Sequence, residues 1–184
     1  MRAGSSQWTL NSLGILLLGA AWIWASAVPA GSQNGRLPAP QAGFQAPDFR
    51  LPTPSGETIS LADLRGQPVL INLWASWCPP CREEMPAIQR VYQDYQSRGF
   101  VVLAVNATSQ DSLPSALEFV SELGLTFPIL LDTDGQVSAL YRLRSLPTSF
   151  FVDGKGIIRE VVIGGPMSEA LLRIRVEQLF ELGD

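Results

Sequence analysis

The sequence contains no histidine and only two cysteines, Cys78 and Cys81. The absence of histidine excludes Ser-His and Cys-His nucleophile pairs and any histidine metal site. Two cysteines cannot supply the four ligands of a structural zinc centre, so we expect no metal. A haem-attachment motif is also excluded, because Arg82 follows Cys81 where that motif requires histidine.

Basic residues are also few. The chain has 13 Lys and Arg against 17 Asp and Glu, and both charged residues before position 43, Arg2 and Arg36, are basic. The remainder therefore carries 11 basic and 17 acidic residues, a net charge of −6. A mildly acidic body without a basic cluster argues against nucleic acid as a partner. The length of 184 residues, 46% of them hydrophobic, suits one domain plus a short appendage.

The long apolar segment of this chain spans residues 8–28. About 20 such residues are enough to cross a bilayer as a helix. Arg2 is the one fixed charge nearby, so the positive-inside rule leaves the N-terminus in the cytoplasm and exports everything that follows. We therefore predict that residues 1–28 are a membrane anchor or a signal peptide, and that the rest lies outside the cytoplasm.

Small residues at positions 25–30 could form a signal-peptide cleavage site, whereas Trp22 and Trp24 favour a retained anchor.

The next segment, residues 29–45, is rich in Gly, Pro, Ala, Gln and Ser and has few large apolar groups. Such a composition is typical of a flexible linker. We expect the folded domain to span residues 46–184.

The body of the sequence alternates between strand and helix patterns. Apolar runs bounded by turn residues predict strands at 49–51, 58–61, 68–74, 100–105, 127–131, 149–152 and 157–163. Apolar residues at helical spacing predict a helix after Cys81 that bends at Pro86, further helices from about 114 and 137, and a last helix capped by Ser168. This order predicts an α/β domain with a mixed sheet covered on both sides.

The two cysteines lie between a predicted buried strand and a predicted helix. With Cys78 at the helix N-cap, Pro79 and Pro80 occupy the first turn, where a missing amide hydrogen costs little. The amide hydrogens and the helix dipole then favour the thiolate of Cys78. We expect Cys78 to be an exposed nucleophile and Cys81, one turn further on, to resolve the mixed disulfide.

A static structural disulfide is the alternative interpretation of this pair. A loop closed over only two intervening residues constrains the unfolded chain weakly, so it would stabilise the fold little. The position of the pair between a strand and a helix also favours redox chemistry.

Several motifs resemble those of exported or membrane-anchored thiol-disulfide oxidoreductases of the TlpA/ResA type. The matching motifs are Ala46-Pro47-Asp48-Phe49, the run from Leu70 to Cys81, Glu84-Met85-Pro86 and Leu146-Pro147-Thr148. The likeness covers residue 46 to the end. It implies a thioredoxin-like fold: a mixed central sheet flanked by helices, with an N-terminal hairpin and a central βα insertion.

The resemblance also implies roles for individual residues. Cys78 would attack and Cys81 resolve, and their disulfide would be the one redox group, with no other cofactor. Pro147 would be cis and face the cysteines, so that the Leu146 backbone can pair with an extended substrate. The implied substrate-binding residues are Trp77, Pro79, Pro80, Leu146 and Pro147.

The proton acceptor is less clear from the sequence. Asn72 stands where thioredoxin has a buried aspartate, as in the TlpA/ResA type, and Ser109 stands where ResA-like proteins have a glutamate. The nearest acid is Asp111, a candidate proton relay that could equally be a helix cap, and water is the alternative acceptor. We interpret Glu84 as shaping the helix.

Taken together, these features predict an extracytoplasmic thiol-disulfide oxidoreductase. The favoured version is a monomeric reductant of protein disulfides, fed by a membrane electron donor, with an apocytochrome c as one client. A general oxidant or isomerase is an alternative, because sequence does not determine the potential. A peroxiredoxin would need Thr or Ser at position 75, which is Ala75. A tethered, non-catalytic binding domain is the remaining alternative.

Overall fold

A five-stranded sheet forms the centre of the computed structural model, which describes residues 37–183. The strands are β1 (Arg50–Pro52), β2 (Thr58–Ser60), β3 (Val69–Trp74), β4 (Val101–Asn106), β5 (Ile129–Leu131), β6 (Thr148–Val152) and β7 (Ile158–Ile163). The helices are α1 (Pro79–Tyr95), α2 (Leu113–Glu122), α3 (Gln136–Leu140) and α4 (Glu169–Gly183). The first two strands pair with each other as a separate antiparallel hairpin.

The main sheet has the order β5-β4-β3-β6-β7, with β3 in the middle. β4 runs parallel to β3, and β6 runs antiparallel to it. Thr148 at the start of β6 lies opposite both Leu73 near the end of β3 and Ile163 at the end of β7. The end of β3 that leads to Cys78 therefore shares one edge of the sheet with the start of β6.

Side chains of β3 alternate between two apolar layers, because successive residues of a strand point to opposite faces. All six residues of β3 are buried, as the continuous apolar run predicts. Leu70 and Trp74 pack on the side of α1, α2 and α4, in a cluster that includes Met85, Phe119, Leu172 and Val176. The opposite layer joins the β1–β2 hairpin to α3 and includes Ile71, Leu73, Leu51, Tyr141 and Phe150.

The folded part of the chain begins before the predicted boundary at residue 46. Gly43 N–H donates to the Ile158 carbonyl (2.7 Å), and Ile158 N–H donates to the Phe44 carbonyl (2.9 Å). Ala46 N–H then donates to the Gly156 carbonyl (2.9 Å). Residues 37–45, which composition assigns to the linker, therefore include backbone that pairs with β7, an interaction that does not require large apolar side chains.

α1 continues through Pro86 from Pro79 to Tyr95. A proline at this position removes one backbone donor. Met85 and Ile88, on either side of it, are both buried, so packing holds the two halves in one helix.

The predicted anchor at residues 1–28 lies outside the described residues. Between residues 37 and 183, no helix combines the length and the apolar composition needed to span a bilayer.

The hydroxyl of Tyr141 links two distant segments and gives a test of this fold. It donates to the Pro47 carbonyl at 2.7 Å inside the core. We expect Tyr141→Phe to lower the free energy of unfolding by about 1–2 kcal/mol, because the buried carbonyl loses its partner. Urea denaturation measures this change. Tyr92→Phe is the matched control, since the Tyr92 hydroxyl makes no hydrogen bond within the described part; equal losses in both variants would contradict the assignment.

Candidate functional site

Cys78 and Cys81 form a disulfide at the start of α1. Cys78 is the N-cap residue, and its Sγ accepts a hydrogen bond from the Cys81 amide (3.3 Å). Pro79 and Pro80 occupy the first turn, as predicted. The Cys78 sulfur therefore lies where the amide and the helix dipole favour negative charge.

Cys78 is less accessible than expected. Only 3% of its surface is exposed in the disulfide form, and Cys81 is fully buried. Both belong to the apolar cluster that contains Met85 and Met167, so in the disulfide form the Cys78 side chain is packed against the core. The exposed group beside the pair is Trp77, with 58% of its surface accessible.

The loop that leads to Cys78 is held by the segment that follows β4. Ala107 N–H donates to the Trp74 carbonyl (2.9 Å), and Trp77 Nε1–H donates to the Gln110 carbonyl (2.9 Å). The second bond orients the indole while leaving most of its face open to solvent. This arrangement is compatible with the predicted role of Trp77 on the substrate surface.

Asp111 is the main anchor of this loop. Its Oδ2 accepts hydrogen bonds from Ser76 N–H (2.7 Å) and Asn106 Nδ2–H (2.8 Å). Its Oδ1 accepts from the Ser76 hydroxyl (2.6 Å) and Ser112 N–H (2.8 Å). Partial burial by itself raises the pKa of Asp111, but these four bonds together outweigh it and hold the pKa below the ordinary value.

The hydrogen bonds around Asp111 bear on its two candidate roles, proton relay and helix cap. Ser112, whose hydroxyl accepts from Ser115 N–H, caps α2. An ionised carboxylate with four donors is a weak proton acceptor, so the geometry favours a positioning role. A proton relay through Asp111 stays a prediction.

The Leu146–Pro147 peptide bond is cis, as the resemblance implies. The Pro147 carbonyl accepts from Gly164 N–H (2.8 Å), which ties this turn to the end of β7. Leu146 is half-buried and packs against both apolar layers. Its backbone N–H and C=O make no hydrogen bond within residues 37–183, so both are free to pair with an extended chain.

Glu84 is a buried acid that the sequence reasoning did not assign to the site. It is completely buried, and its Oε1 accepts from Asn72 Nδ2–H (2.8 Å). Its Oε2 accepts a longer bond from Met167 N–H (3.3 Å). The same Asn72 amide nitrogen also donates to the Ser149 hydroxyl (2.9 Å). Burial raises the pKa of Glu84, and these two hydrogen bonds offset only part of the rise.

The position of Glu84 connects it to both parts of the site. It lies three residues after Cys81 in α1, so the two side chains are neighbours on one helix face, with about 5–6 Å between their Cβ atoms. A Cβ on Gly165 would lie 2.8 Å from Glu84 Oε2 and 2.9 Å from Pro147 Cγ. The carboxyl and the cis-proline therefore flank the same glycine. The available sequence signal was the helical spacing, which puts Glu84 on the same face as the buried Cys81 and Ile88.

Comparisons with known proteins agree with this geometry. The AhpC/TSA family model matches residues 42–161. The thioredoxin-like protein YneN of Bacillus subtilis is 45% identical over 125 residues, 67% of this chain and 72% of that protein. The thiol-disulfide oxidoreductase ResA of Bacillus subtilis is 37% identical over 130 residues, 71% of each chain. Among solved structures, a thiol:disulfide interchange protein DsbE from Chlorobium tepidum has a TM-score of 0.69 at 32% identity, covering 76% of this chain and 97% of that one.

The Asp111 network predicts a pH-dependent contribution to stability. A carboxyl whose pKa is lowered on folding stabilises the protein at pH values above its ordinary pKa. This contribution is lost as the pH falls through the lowered pKa. Asp111→Asn replaces one acceptor oxygen by an NH₂ group that faces donors. We expect this variant to lose about 1–2 kcal/mol of the free energy of unfolding at pH 7, and we expect the loss to become smaller below about pH 4. Urea denaturation measures both values. The exposed Asp63, changed to Asn, is the control, and a loss independent of pH would contradict the charged network.

Glu84 predicts the opposite dependence. Its pKa is raised on folding, so its ionisation weakens the fold as the pH rises from about 4 through the raised value. We expect the stability of Glu84→Gln relative to the native protein to increase over this range, by about 1.4 kcal/mol for each unit that separates the folded and unfolded pKa. Denaturation between pH 4 and pH 9 checks the slope. The exposed neighbour Glu83, changed to Gln, should show no such trend; a parallel trend there would count against the assignment.

Proposed function

The chain belongs to the AhpC/TSA family and is a thiol-disulfide oxidoreductase of the ResA type, and from that premise we propose that it reduces protein disulfides outside the cytoplasm. The observation that carries the proposal is the Cys78–Cys81 pair at the N-terminus of α1. A buried carboxyl, Glu84, lies one turn beyond the pair, and Pro147 flanks the same glycine as that carboxyl.

The proposed cycle begins with both cysteines reduced. The Cys78 thiolate attacks one sulfur of a client disulfide, which forms a mixed disulfide and releases the other client sulfur as a thiolate. The Cys81 thiol gives its proton to Glu84 and attacks the Cys78 sulfur. The second client thiolate leaves, and the Cys78–Cys81 disulfide forms. The client gains two electrons, and an upstream dithiol restores them to the protein.

Glu84 supports the proposal that the protein reduces client disulfides and does not oxidise client thiols. A helix N-terminus alone stabilises the thiolate, and hence the reduced protein, which makes a pair more oxidising. The ionised form of Glu84, which is also the form that accepts the Cys81 proton, has the opposite effect, because a negative charge one turn from Cys81 disfavours a thiolate there. The reduced state is then less stable relative to the disulfide, and the pair becomes a better reductant.

Client pairing is proposed at the cis-proline turn. The free N–H and C=O of Leu146 can form backbone hydrogen bonds with an extended client, as an added strand does. Trp77, Pro79 and Pro80 complete the surface around the sulfur. By resemblance, an apocytochrome c is one client, and the electron donor is a membrane protein. The apolar segment at residues 8–28 supports export or anchoring of the domain, which we propose to be a monomer.

The test of this proposal is a trapping experiment with a matched pair of variants. Reduced protein should reduce the disulfides of insulin with a stoichiometry of one disulfide per protein molecule. Cys81→Ser should accumulate mixed disulfides through Cys78, and Cys78→Ser should not, as non-reducing electrophoresis would show. A disulfide in the native protein that resists exchange with dithiothreitol would reject the enzymatic role of the pair.

The reduction potential of the Cys78/Cys81 pair decides whether the protein reduces or oxidises its clients. Equilibration with dithiothreitol should give a value nearer to thioredoxin, about −270 mV, than to the oxidant DsbA, about −120 mV. A potential near that of DsbA would contradict the proposed reductase and identify the protein as an oxidant.

A further inference from the structure

A groove of about 200 Å³ lies beside the cis-proline turn, on the side of the sheet away from α1. Its lining includes Arg142, Arg144, Thr148 and Ile163. Thr148 follows Pro147 directly, and it lies opposite Leu73 of β3. The groove therefore opens at the edge of the sheet that carries the cysteine loop. Thr148 in the groove lining is only two positions from Leu146, whose backbone is the proposed pairing site of the client.

The two arginines in this groove differ from most other arginines in the described part of the chain. Six arginines each pair with an Asp or Glu side chain, namely Arg82, Arg90, Arg98, Arg159, Arg173 and Arg175. Arg142 and Arg144 are exposed and make no ion pair or side-chain hydrogen bond within residues 37–183. No acidic residue lines the groove either. In a domain with excess acid, this is a local site of uncompensated positive charge.

The backbone at Arg142 gives a second, independent observation. Arg142 N–H donates to the Ala139 carbonyl (3.0 Å) and Leu143 N–H to the Ser138 carbonyl (2.8 Å), which is the Schellman pattern that ends a helix. Arg142 occupies the left-handed position of this motif, with φ of 51°. Glycine is the usual residue there, because a side chain makes that conformation unfavourable. The cap does not need an arginine at this position.

The remaining walls of the groove are suited to a peptide. Ile163, at the end of β7, has 66% of its surface exposed, although it belongs to the central sheet. Tyr141 and Phe150 form the floor on the side of the core. An apolar surface with two guanidinium groups fits a short polypeptide that carries a carboxylate, since arginine forms paired hydrogen bonds with carboxylates.

We propose that this groove binds acidic side chains of the client polypeptide close to its disulfide, so that Arg142 and Arg144 determine which clients are preferred. The inference rests on the proposed reductase function, because it concerns the client of the same site. The exposed setting of both arginines limits the effect to a modest preference, of about fivefold in rate at low salt. The preference should weaken at 1 M salt, where charges are screened over about 3 Å.

Stopped-flow kinetics with designed peptides test the proposal. The substrates are three extended peptides, each with one cysteine in a mixed disulfide with glutathione, flanked by Glu, Gln or Lys and otherwise identical. The reduced native protein should react with the Glu peptide about fivefold faster than with the Gln peptide, and slowest with the Lys peptide. In the double variant Arg142→Gln/Arg144→Gln the ratio of the Glu to the Gln rate should fall towards one.

Arg50→Gln is the matched control, because Arg50 is exposed, has no ion pair in the described part and does not line this groove. It changes net charge in the same direction, by one unit, and should keep the native ratio. Equal rates for all three peptides with the native protein would overturn the inference while leaving the reductase function intact. Failure to reduce any peptide would instead reject the reductase function.

Discussion

The complete burial of β3 is the constraint on which the site depends. Because both faces of this strand are covered, its alternating side chains are committed to two separate layers, and the position of Trp74 at its end is determined by packing. The short loop that follows joins Trp74 at the strand end to Cys78 at the N-cap of α1. Asn72 is the one polar side chain in the strand, and its Nδ2 donates to Glu84 and Ser149 inside the protein, whereas its buried Oδ1 accepts no hydrogen bond from the described residues.

Two carboxyls near the cysteines have opposite electrostatic environments. Asp111 receives four hydrogen bonds that lower its pKa, so its carboxylate holds Ser76 and the loop before Cys78. Glu84 is fully buried with two weaker donors, so its charge is costly and its proton is retained to higher pH. One acid is thus suited to positioning and the other to exchanging a proton. The sequence had left Asp111 open between a proton relay and a helix cap, and it had assigned Glu84 only to shaping the helix.

Much of the fold follows from local pattern, whereas the errors concern contacts between distant segments. The strand before Cys78 and the N-cap at Cys78 were predicted from short local motifs, and the cis bond before Pro147 was implied by the family resemblance. Glu84 was missed because its burial depends on Asn72 and Met167, 12 and 83 residues away. The linker boundary was misplaced for the same reason. Residues 43–46 pair with a hairpin more than 100 residues later in the chain, and their amino-acid composition does not indicate this pairing.

Charge acts on the proposed client at two different ranges. The domain as a whole has excess acid, so at distances beyond the Debye length, about 8–10 Å in physiological salt, an acidic client is not attracted. Arg142 and Arg144 can act only after the chain has reached the cis-proline turn. Their contribution must therefore lie in how long a bound chain stays and in how it is oriented, and not in the rate of encounter. Selectivity of this kind acts on the reduced protein, because the Cys78 thiolate can attack only a client disulfide that is held in register beside it.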